Sequence, residues 1–298
     1  MNSTGQNGLK ASRSKSMARR LLQRMATAVV EAVFPAKCLA CGCFIHQPDE
    51  VFRQDSSILP CFKQCRDGEA DDVVHHLMQP YLCADCIRKI AVVKLPFCLA
   101  CGFLYKSKEA EDRLCGDCIR SPKNFRMARA SVVYDEAFMN LVLNLKYRGK
   151  IQLARPLGGL LLVAFLQYWD AGDIDIVIPV PLFQKRFKQR GFNQAFVLIQ
   201  NWEDFAEELN VDLTGLHLET QALVRNRHTA TQTGLGRKER MDNIKNAFRV
   251  PESHKIAGKR VLLVDDVYTT GATVDECSRV LMENGAACVD VLTVARAM

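Results

Sequence analysis

One stretch of the chain decides the fold, and it reads Val261-Leu262-Leu263-Val264-Asp265-Asp266-Val267-Tyr268-Thr269-Thr270-Gly271-Ala272-Thr273. Its apolar residues predict a buried strand, two acids follow, and a small loop with hydroxyls and a glycine leads into a helix. Ligands of open α/β sheets bind beyond the carboxyl ends of the strands. The loop amides, the threonine hydroxyls and the positive helix N-terminus would together hold a phosphate dianion. Asp265 and Asp266 would then lie where carboxylates can accept hydrogen bonds from ribose hydroxyls. An ordinary strand–turn–helix with a solvated acid pair is the alternative.

Strands and helices alternate through the second part of the chain. Strands are predicted at 128–134, 174–180, 261–264 and 288–294, with a weaker one at 216–224, and helices at 136–147, 152–168, 193–209 and 272–284. This alternation is typical of parallel βαβ units. We therefore predict an α/β domain over residues 124–298, built on an open, doubly wound and mostly parallel sheet.

A basic loop follows one of the predicted strands. Val180 ends the strand at 174–180, Pro181 follows it, and the basic residues that come next are Lys185, Arg186, Lys188 and Arg190. Such a loop can neutralise a pyrophosphate, and a basic surface turn is the alternative. Lys146 is a further candidate contact to a pyrophosphate, although a position on a helix surface explains it nearly as well.

The polar segment at 225–240 predicts a long mobile loop. Its arginine, threonine and glutamine side chains are Arg225, Arg227, Thr229, Thr231, Gln232, Thr233, Arg237 and Arg240. The segment is a candidate lid that closes over the site and excludes water from it. A disordered linker is the alternative.

Thirteen cysteines occur in the chain, and eleven of them lie between Cys38 and Cys118. They form an internal repeat, because Cys-Leu-Ala-Cys-Gly at 38–42 recurs unchanged at 98–102. A second pair follows each copy, so the two units read CxxC-x41-CxxC and CxxC-x13-CxxC. The paired cysteines are Cys38, Cys41, Cys83 and Cys86 in the first unit, and Cys98, Cys101, Cys115 and Cys118 in the second.

Each unit supplies four thiolates, which is the ligand set of a closed structural zinc site. We therefore predict a double zinc ribbon over residues 36–120 that holds two zinc ions. An iron–sulfur cluster is the alternative metal centre. The long spacer of the first unit contains Cys43, His46, Cys61, Cys65, His75 and His76. These residues are either incidental parts of a solvated insertion or, for Cys61 and Cys65, a redox pair.

The composition excludes several classes of protein. The 298 residues are 48% hydrophobic and 24% charged, which excludes a fibre or a wholly disordered chain. No apolar run reaches the roughly 18 residues of a membrane span, so no transmembrane helix is expected. The apolar stretch at 25–34 lacks the features of a signal peptide. Cysteines suited to metal binding in a reducing compartment then predict a cytoplasmic protein.

Most of the net charge of +7 lies at the N-terminus. Residues 1–24 carry six basic residues and no acid, so the rest of the chain is close to neutral. We predict a basic, disordered leader with a short helix at 18–34, together filling residues 1–35. The leader could contact nucleic acid or anionic lipid, and a purely solvated leader is the alternative.

The stretch quoted first resembles the 5-phosphoribosyl-1-pyrophosphate (PRPP) motif of type I phosphoribosyltransferases. It has four apolar residues, two acids and a Thr-Thr-Gly-x-Thr loop. The resemblance implies that Asp265 and Asp266 contact the ribose hydroxyls of PRPP. It also implies that the 5′-phosphate is held by Thr269, Thr270, Gly271, Ala272 and Thr273.

Residues 36–298 as a whole resemble the ComF/GntX family. Besides the cysteine ribbons, the resemblance rests on Leu145-Lys146-Tyr147, Pro179-Val180-Pro181-Leu182, Arg190-Gly191-Phe192-Asn193-Gln194 and Asn246-Ala247-Phe248. The long first spacer and the basic leader depart from the family pattern. The family implies a phosphoribosyltransferase-like domain and a link to the uptake of transforming DNA, with single-stranded DNA or a competence protein as partner. It does not imply an acceptor substrate.

Two functions are therefore open at this point. The first is an enzyme-like protein that binds PRPP with Mg²⁺ and displaces pyrophosphate in favour of an unknown acceptor. No general base can be named for it. The second is a non-catalytic module that senses PRPP or a nucleotide, while its ribbons and leader contact DNA or a partner protein.

Overall fold

A computed structural model of the chain describes residues 35–45, 70–94, 96–105, 113–227 and 237–298. Several predictions fall outside these ranges. They concern the leader and its helix, the redox pair of Cys61 and Cys65, His46, and the part of the candidate lid from Thr229 to Thr233.

The described residues form seven strands and ten α-helices. The strands are β1 Ala128–Val133, β2 Ile176–Pro179, β3 His217–Leu218, β4 Val224–Arg225, β5 Phe248–Arg249, β6 Arg260–Tyr268 and β7 Cys288–Arg296. The helices are α1 Ala70–Met78, α2 Ala84–Arg88, α3 Gly116–Arg120, α4 Glu136–Tyr147, α5 Ala154–Tyr168, α6 Gln184–Arg190, α7 Gln194–Ile199, α8 Trp202–Glu208, α9 Arg237–Ile244 and α10 Ala272–Glu283.

Five of the strands form one sheet in the order β1-β7-β6-β2-β3, and every neighbouring pair is parallel. β4 and β5 form a separate antiparallel pair. Helices connect the parallel strands, because strands that run in the same direction need a crossover connection, which is usually an α-helix. The predicted α/β class with an open, mostly parallel sheet is confirmed.

Alternate side chains of the central strands enter two different cores, one on each face of the sheet. Leu262 and Val264 of β6 belong to the first core, together with α4 and α5. Val261 and Leu263 belong to the second core, together with α10. This division follows from the two-residue period of a strand, and it explains why the middle of β6 is continuously apolar.

Helix α5 lies against β1 and β7 in the first core. Ile151–Tyr168 is the one stretch of the described residues with the length and apolarity to cross a membrane, and 61% of it is buried inside the protein. Packing against the sheet and against α1, α7 and α8 accounts for its apolar character.

The two cysteine units pack on opposite faces of the sheet. Cys38 lies in the first core, whereas Cys98, Cys101 and Cys118 lie in the second. The segment between the units covers the outer edge of β1, where Val92 and Val132 form an antiparallel bridge. Main-chain contacts therefore cross the domain boundary that the sequence places near residue 124.

Two predicted elements are divided in the structure. The helix predicted at 193–209 is split into α7 and α8, because a break at Asn201 turns Trp202 into the first core. The indole of Trp202 donates a hydrogen bond of 3.2 Å to the carbonyl of Gly158 on α5. The strand predicted at 216–224 is split into β3 and β4, which pair with different partners, β2 and β5.

Candidate functional site

A cleft of about 340 Å³ lies at the carboxyl edge of the parallel sheet. All eleven residues that the sequence analysis assigned to PRPP and its pyrophosphate line it, namely Lys146, Val180, Pro181, Arg190, Asp265, Asp266, Thr269, Thr270, Gly271, Ala272 and Thr273. They come from the ends of α4, β2, α6 and β6 and from the start of α10. The fold thus brings together residues that are up to 127 positions apart in the sequence.

The loop from Thr269 to Thr273 joins β6 to α10. Gly271 is the N-cap of α10 and has a φ of +78°, in the left-handed region that favours glycine. A Cβ at this position would lie 2.2 Å from the hydroxyl oxygen of Tyr268. Any other residue would therefore displace the Tyr268 ring as well as strain the turn. The result is a compact loop with the N-terminus of α10 facing the cleft.

The acid pair lies within β6 and not after it, because hydrogen bonding to β7 continues to Tyr268 and Arg296. Asp266 is only 5% exposed, and its Oδ1 accepts a 2.9 Å hydrogen bond from the amide of Val267. Its other carboxylate oxygen forms an ion pair with the ammonium of Lys146. Lys146 is therefore not a surface residue of its helix, since it extends into the cleft and neutralises one of the two acids.

The two carboxyl groups of the acid pair lie in different electrostatic environments. Desolvation, and then the adjacent Asp266 charge, raise the pKa of Asp265 above the ordinary range of an aspartic acid, against the opposing effect of Lys146. Burial by itself would lower the pKa of Lys146, but the charge of Asp266 and the hydrogen bond to it outweigh burial, so the pKa is raised. The single positive charge of Lys146 thus lies beside two carboxylates. It pairs with Asp266, so the negative charge of Asp265 is poorly compensated.

Asp265→Asn is therefore expected to change the pH dependence of stability. Between the ordinary pKa of an aspartic acid and the raised pKa of Asp265, the folded chain binds a proton that the unfolded chain releases. The free energy of unfolding of the wild type should accordingly fall as the pH rises through this range. The variant should lack this contribution and be the more stable protein at the alkaline end. Urea unfolding of both proteins without ligand tests this, and parallel pH profiles would contradict it.

Another part of the cleft wall is cationic. Arg186, Arg190 and Arg225 line it, and the guanidinium of Arg190 lies 5.0 Å from the centre of the Tyr147 ring. Burial, and then the charge of Arg186, lower the pKa of Arg225 to about 10. Mutual repulsion of this kind is relieved by an anionic ligand, which this wall of the cleft is suited to bind.

Asn193 holds the basic loop in place. Its side-chain amide donates a 3.1 Å hydrogen bond to the carbonyl of Val180, and its Oδ1 accepts one of 3.0 Å from the amide of Ala195. The same side chain thus caps α7 and fixes the end of β2. This explains structurally why an asparagine follows the basic loop.

Tyr134 also lines the cleft and is not among the residues predicted from the sequence. It directly follows β1 and lies near the Lys146–Asp266 pair, where burial raises its pKa. Its position just beyond the carboxyl end of a parallel strand was the available signal. Arg225 was assigned to a mobile loop, whereas the structure places it in β4, paired with Phe248.

Two groups of four cysteines could hold metal ions, and they are the two sets that the repeat predicts. Within each group all four sulfur atoms lie within 4.8 Å of one another. The sulfur atoms of Cys41 and Cys83 are 3.8 Å apart, and those of Cys101 and Cys115 are 3.7 Å apart. Four sulfurs around one tetrahedral zinc at about 2.3 Å would be separated by ~3.8 Å, so the residues fit the ion.

The two cysteine units, which repeat in sequence, also share the same local backbone structure. Gly42 and Gly102 both have positive φ, and each amide donates a 2.9 Å hydrogen bond to the carbonyl of the first cysteine in its unit. The second pairs match as well, because Cys83 and Cys115 are the N-caps of short helices with almost the same backbone angles.

The second cysteine group is connected by contacts to the loop from Thr269 to Thr273. Arg296, at the end of β7, donates a 3.4 Å hydrogen bond to the sulfur of Cys101, and its guanidinium lies 4.2 Å from the centre of the Tyr268 ring. Tyr268 in turn packs under Gly271. A chain of contacts therefore joins the cysteine group to the loop.

The first cysteine group supports the other side of the cleft. The side-chain amide of Asn144 donates a hydrogen bond to the carbonyl of Leu39, which lies between Cys38 and Cys41. Asn144 is on α4, two residues before Lys146. Each cysteine group thus packs behind one wall of the candidate site.

Residues 206–298 match the family described as the phosphoribosyl transferase domain. The chain is 31% identical over 229 residues to the competence protein F of Haemophilus influenzae, an alignment that covers 74% of this chain and 93% of that protein. It is 32% identical over 222 residues to the DNA utilization protein YhgH of Escherichia coli, covering 73% and 91% of the two chains. Competence protein ComFC of Bacillus subtilis is 25% identical over 222 residues, covering 72% and 84%.

Among solved structures, the glutamine phosphoribosylpyrophosphate amidotransferase from B. subtilis is 24% identical, with a TM-score of 0.27, covering 46% of this chain and 25% of that one. The family assignment rests on the relatives that are more than 30% identical, because the alignments cover 73–74% of this chain and 91–93% of those proteins. The chain belongs to the ComF family, as a phosphoribosyltransferase-like protein related to competence and DNA utilization proteins.

Proposed function

We propose that the protein binds PRPP in the cleft at the carboxyl edge of β6 and transfers its phosphoribosyl group to an acceptor, releasing pyrophosphate. The observation that carries the proposal is the meeting of three chemically distinct parts in one cleft. These are a glycine-containing loop at a helix N-terminus, a pair of carboxylates and a wall of cationic side chains.

The loop suits the 5′-phosphate of PRPP. Main-chain amides at the start of α10 and the hydroxyls of Thr269, Thr270 and Thr273 are donors, and the helix N-terminus favours a dianion. The carboxylates of Asp265 and Asp266 are acceptors for the ribose 2′- and 3′-hydroxyls. PRPP would thus be oriented by donors at one end and acceptors in the middle.

The cationic wall suits the pyrophosphate. Arg186, Arg190 and Arg225 offer planar guanidinium groups that bind phosphate oxygens in pairs. Lys146 would exchange its ion pair with Asp266 for one with the pyrophosphate when PRPP enters. The same side chain would then offset negative charge on the leaving group and free a carboxylate for the ribose.

Mg²⁺ fits this site because carboxylate and phosphate oxygens are its preferred ligands, and Asp265 and Asp266 supply the carboxylates. When bound with PRPP it would offset charge on the pyrophosphate as the bond to the anomeric carbon breaks. The protein's own contribution would be orientation and electrostatic stabilisation by the residues named above.

The test of the proposed activity is release of pyrophosphate. The full chain is incubated with PRPP, Mg²⁺ and a panel of purine, pyrimidine and amine acceptors, and pyrophosphate is measured. Arg186→Gln should reduce turnover, whereas the matched variant Lys188→Gln should not, because Lys188 is exposed on the same helix and outside the cleft. Equal effects of the two variants would contradict the assignment of the cleft.

We also propose zinc as the metal of both cysteine groups. The expected content is about two zinc ions per chain, because each group supplies four thiolates in tetrahedral reach of one ion. Elemental analysis of the purified protein measures this. A content of one zinc per chain would contradict the assignment of zinc to one of the two groups. An absorption band typical of an iron–sulfur cluster would contradict zinc as the metal.

A second candidate function is a PRPP-sensing module without turnover, favoured by the relatives whose names refer to competence and DNA utilization. It would bind PRPP in the same cleft, while the ribbons and the basic residues at 1–24 contact single-stranded DNA. Binding of PRPP without pyrophosphate release, together with DNA affinity that falls steeply with salt, would favour it over the enzyme.

A further inference from the structure

The two cysteine groups differ at one position of the repeat. Cys43 follows the glycine that the two units share, Gly42 in the first unit, and Phe103 follows Gly102 in the second. The positions are equivalent in structure, because the carbonyl of Cys43 accepts a hydrogen bond from the amide of Cys38, just as that of Phe103 accepts one from Cys98. The first group therefore has a fifth thiol where the second has an aromatic ring.

The fifth thiol lies against a member of the metal-binding set. The sulfur of Cys43 is 3.3 Å from that of Cys41, which is closer than Cys41 lies to Cys83 of its own set, at 3.8 Å. Cys41 and Cys43 are both exposed. Solutes can thus reach two adjacent thiols, one inside the set and one outside it.

The second group is shielded by comparison. Cys98, Cys101 and Cys118 are buried, whereas only Cys38 of the first set is buried. The guanidinium of Arg296 contacts Cys101 and compensates the negative charge of the thiolates. The two sites therefore have the same four cysteines but different surroundings. The second is enclosed and lies beside the cation of Arg296, whereas the first is open and lies beside the additional thiol of Cys43.

We propose that Cys43 makes the first cysteine group a redox-sensitive metal site, which releases its metal when Cys41 and Cys43 form a disulfide, while the second group keeps its metal. This inference does not depend on the proposed transferase activity.

The oxidant would be a peroxide, and the step balances. The Cys43 thiolate attacks one peroxide oxygen, the O–O bond breaks, and a sulfenic acid and hydroxide form. The Cys41 thiolate then leaves the metal and attacks the sulfenic sulfur, which forms the S–S bond and expels a second hydroxide. Two thiols lose two electrons in total, and the peroxide is reduced to two waters once the hydroxides take up protons. Three cysteines remain as ligands, which hold the ion more weakly.

The test uses the full chain loaded with zinc and treated with hydrogen peroxide in the presence of a chromophoric zinc chelator. The wild type is expected to release one zinc rapidly and to retain the other. Peptide mapping by mass spectrometry should then find a disulfide between Cys41 and Cys43. Added dithiol should reverse the disulfide and allow one zinc to rebind.

Two replacements of Cys43 keep the test informative. Cys43→Ser removes only the thiol, and Cys43→Phe copies the second unit, so both should slow zinc release at least tenfold. The double variant Cys61→Ser with Cys65→Ser and the single variant Cys288→Ser should release zinc at the wild-type rate. The proposal is overturned if either Cys43 variant releases zinc as fast as the wild type, or if the mapped disulfide does not contain Cys43.

Discussion

The double substitution Asp265→Asn with Asp266→Asn is expected to weaken PRPP binding by about two to four orders of magnitude. Hydrogen bonds to charged groups contribute roughly 1.5–3 kcal/mol each, and each 1.4 kcal/mol is a factor of ten in affinity. The amides keep the shape of the acids but are poorer acceptors for ribose hydroxyls. Calorimetric titration with PRPP and Mg²⁺ measures the loss.

The control for this experiment is Asp212→Asn, because Asp212 is exposed on a turn outside the cleft. It should bind PRPP as the wild type does. Thermal unfolding without ligand separates binding from folding, because the double variant removes the desolvated carboxylate of Asp265 but also the ion-pair partner of Lys146. Wild-type affinity in the double variant would place the ligand site elsewhere.

Cys101→Ser is expected to reduce both the stability of the fold and the affinity for PRPP. Loss of a metal site is one of the few single changes that cost more than about 4 kcal/mol. Cys101 contacts Arg296, which lies over Tyr268, and Tyr268 packs against Gly271 of the loop from Thr269 to Thr273. We therefore expect at least a tenfold loss of PRPP affinity even under conditions where the variant is folded.

Urea unfolding measures the stability of this variant, and hydrogen exchange of the amides at 268–273 reports on the loop without any ligand. Protection of these amides should fall in Cys101→Ser and remain in Cys288→Ser, whose cysteine lies outside both groups. If zinc is lost from the second group while the loop keeps its protection, the contact through Arg296 does not support the loop.

Much of this protein could be predicted from local patterns. The apolar strand, the acid pair and the threonine loop are contiguous, so their order along the chain predicts their order in space. The cysteine repeat behaves in the same way, because each knuckle is a turn of five residues whose geometry is local. The parallel sheet followed from the alternation of strands and helices alone.

Other features depend on contacts between distant segments. The break between α7 and α8 lets Trp202 pack on α5, and Asn201, the N-cap of α8, is only a weak sequence signal for it. The split between β3 and β4 is likewise set by their different pairing partners. In both cases the local pattern predicts the correct type of element, and tertiary packing decides where that element is interrupted.

The sequence by itself determined which residues are candidates for the chemistry, namely the acid pair, the loop from Thr269 to Thr273, the basic segment after β2 and the two sets of four cysteines. Only the tertiary structure decided how they are combined. It placed the two cysteine groups on opposite faces of one sheet, joined Lys146 to Asp266, and brought Arg296 between Cys101 and Tyr268. The physical reason is that chemistry and turn geometry are properties of short segments, whereas these pairings arise when two separate apolar cores close on the faces of the same sheet.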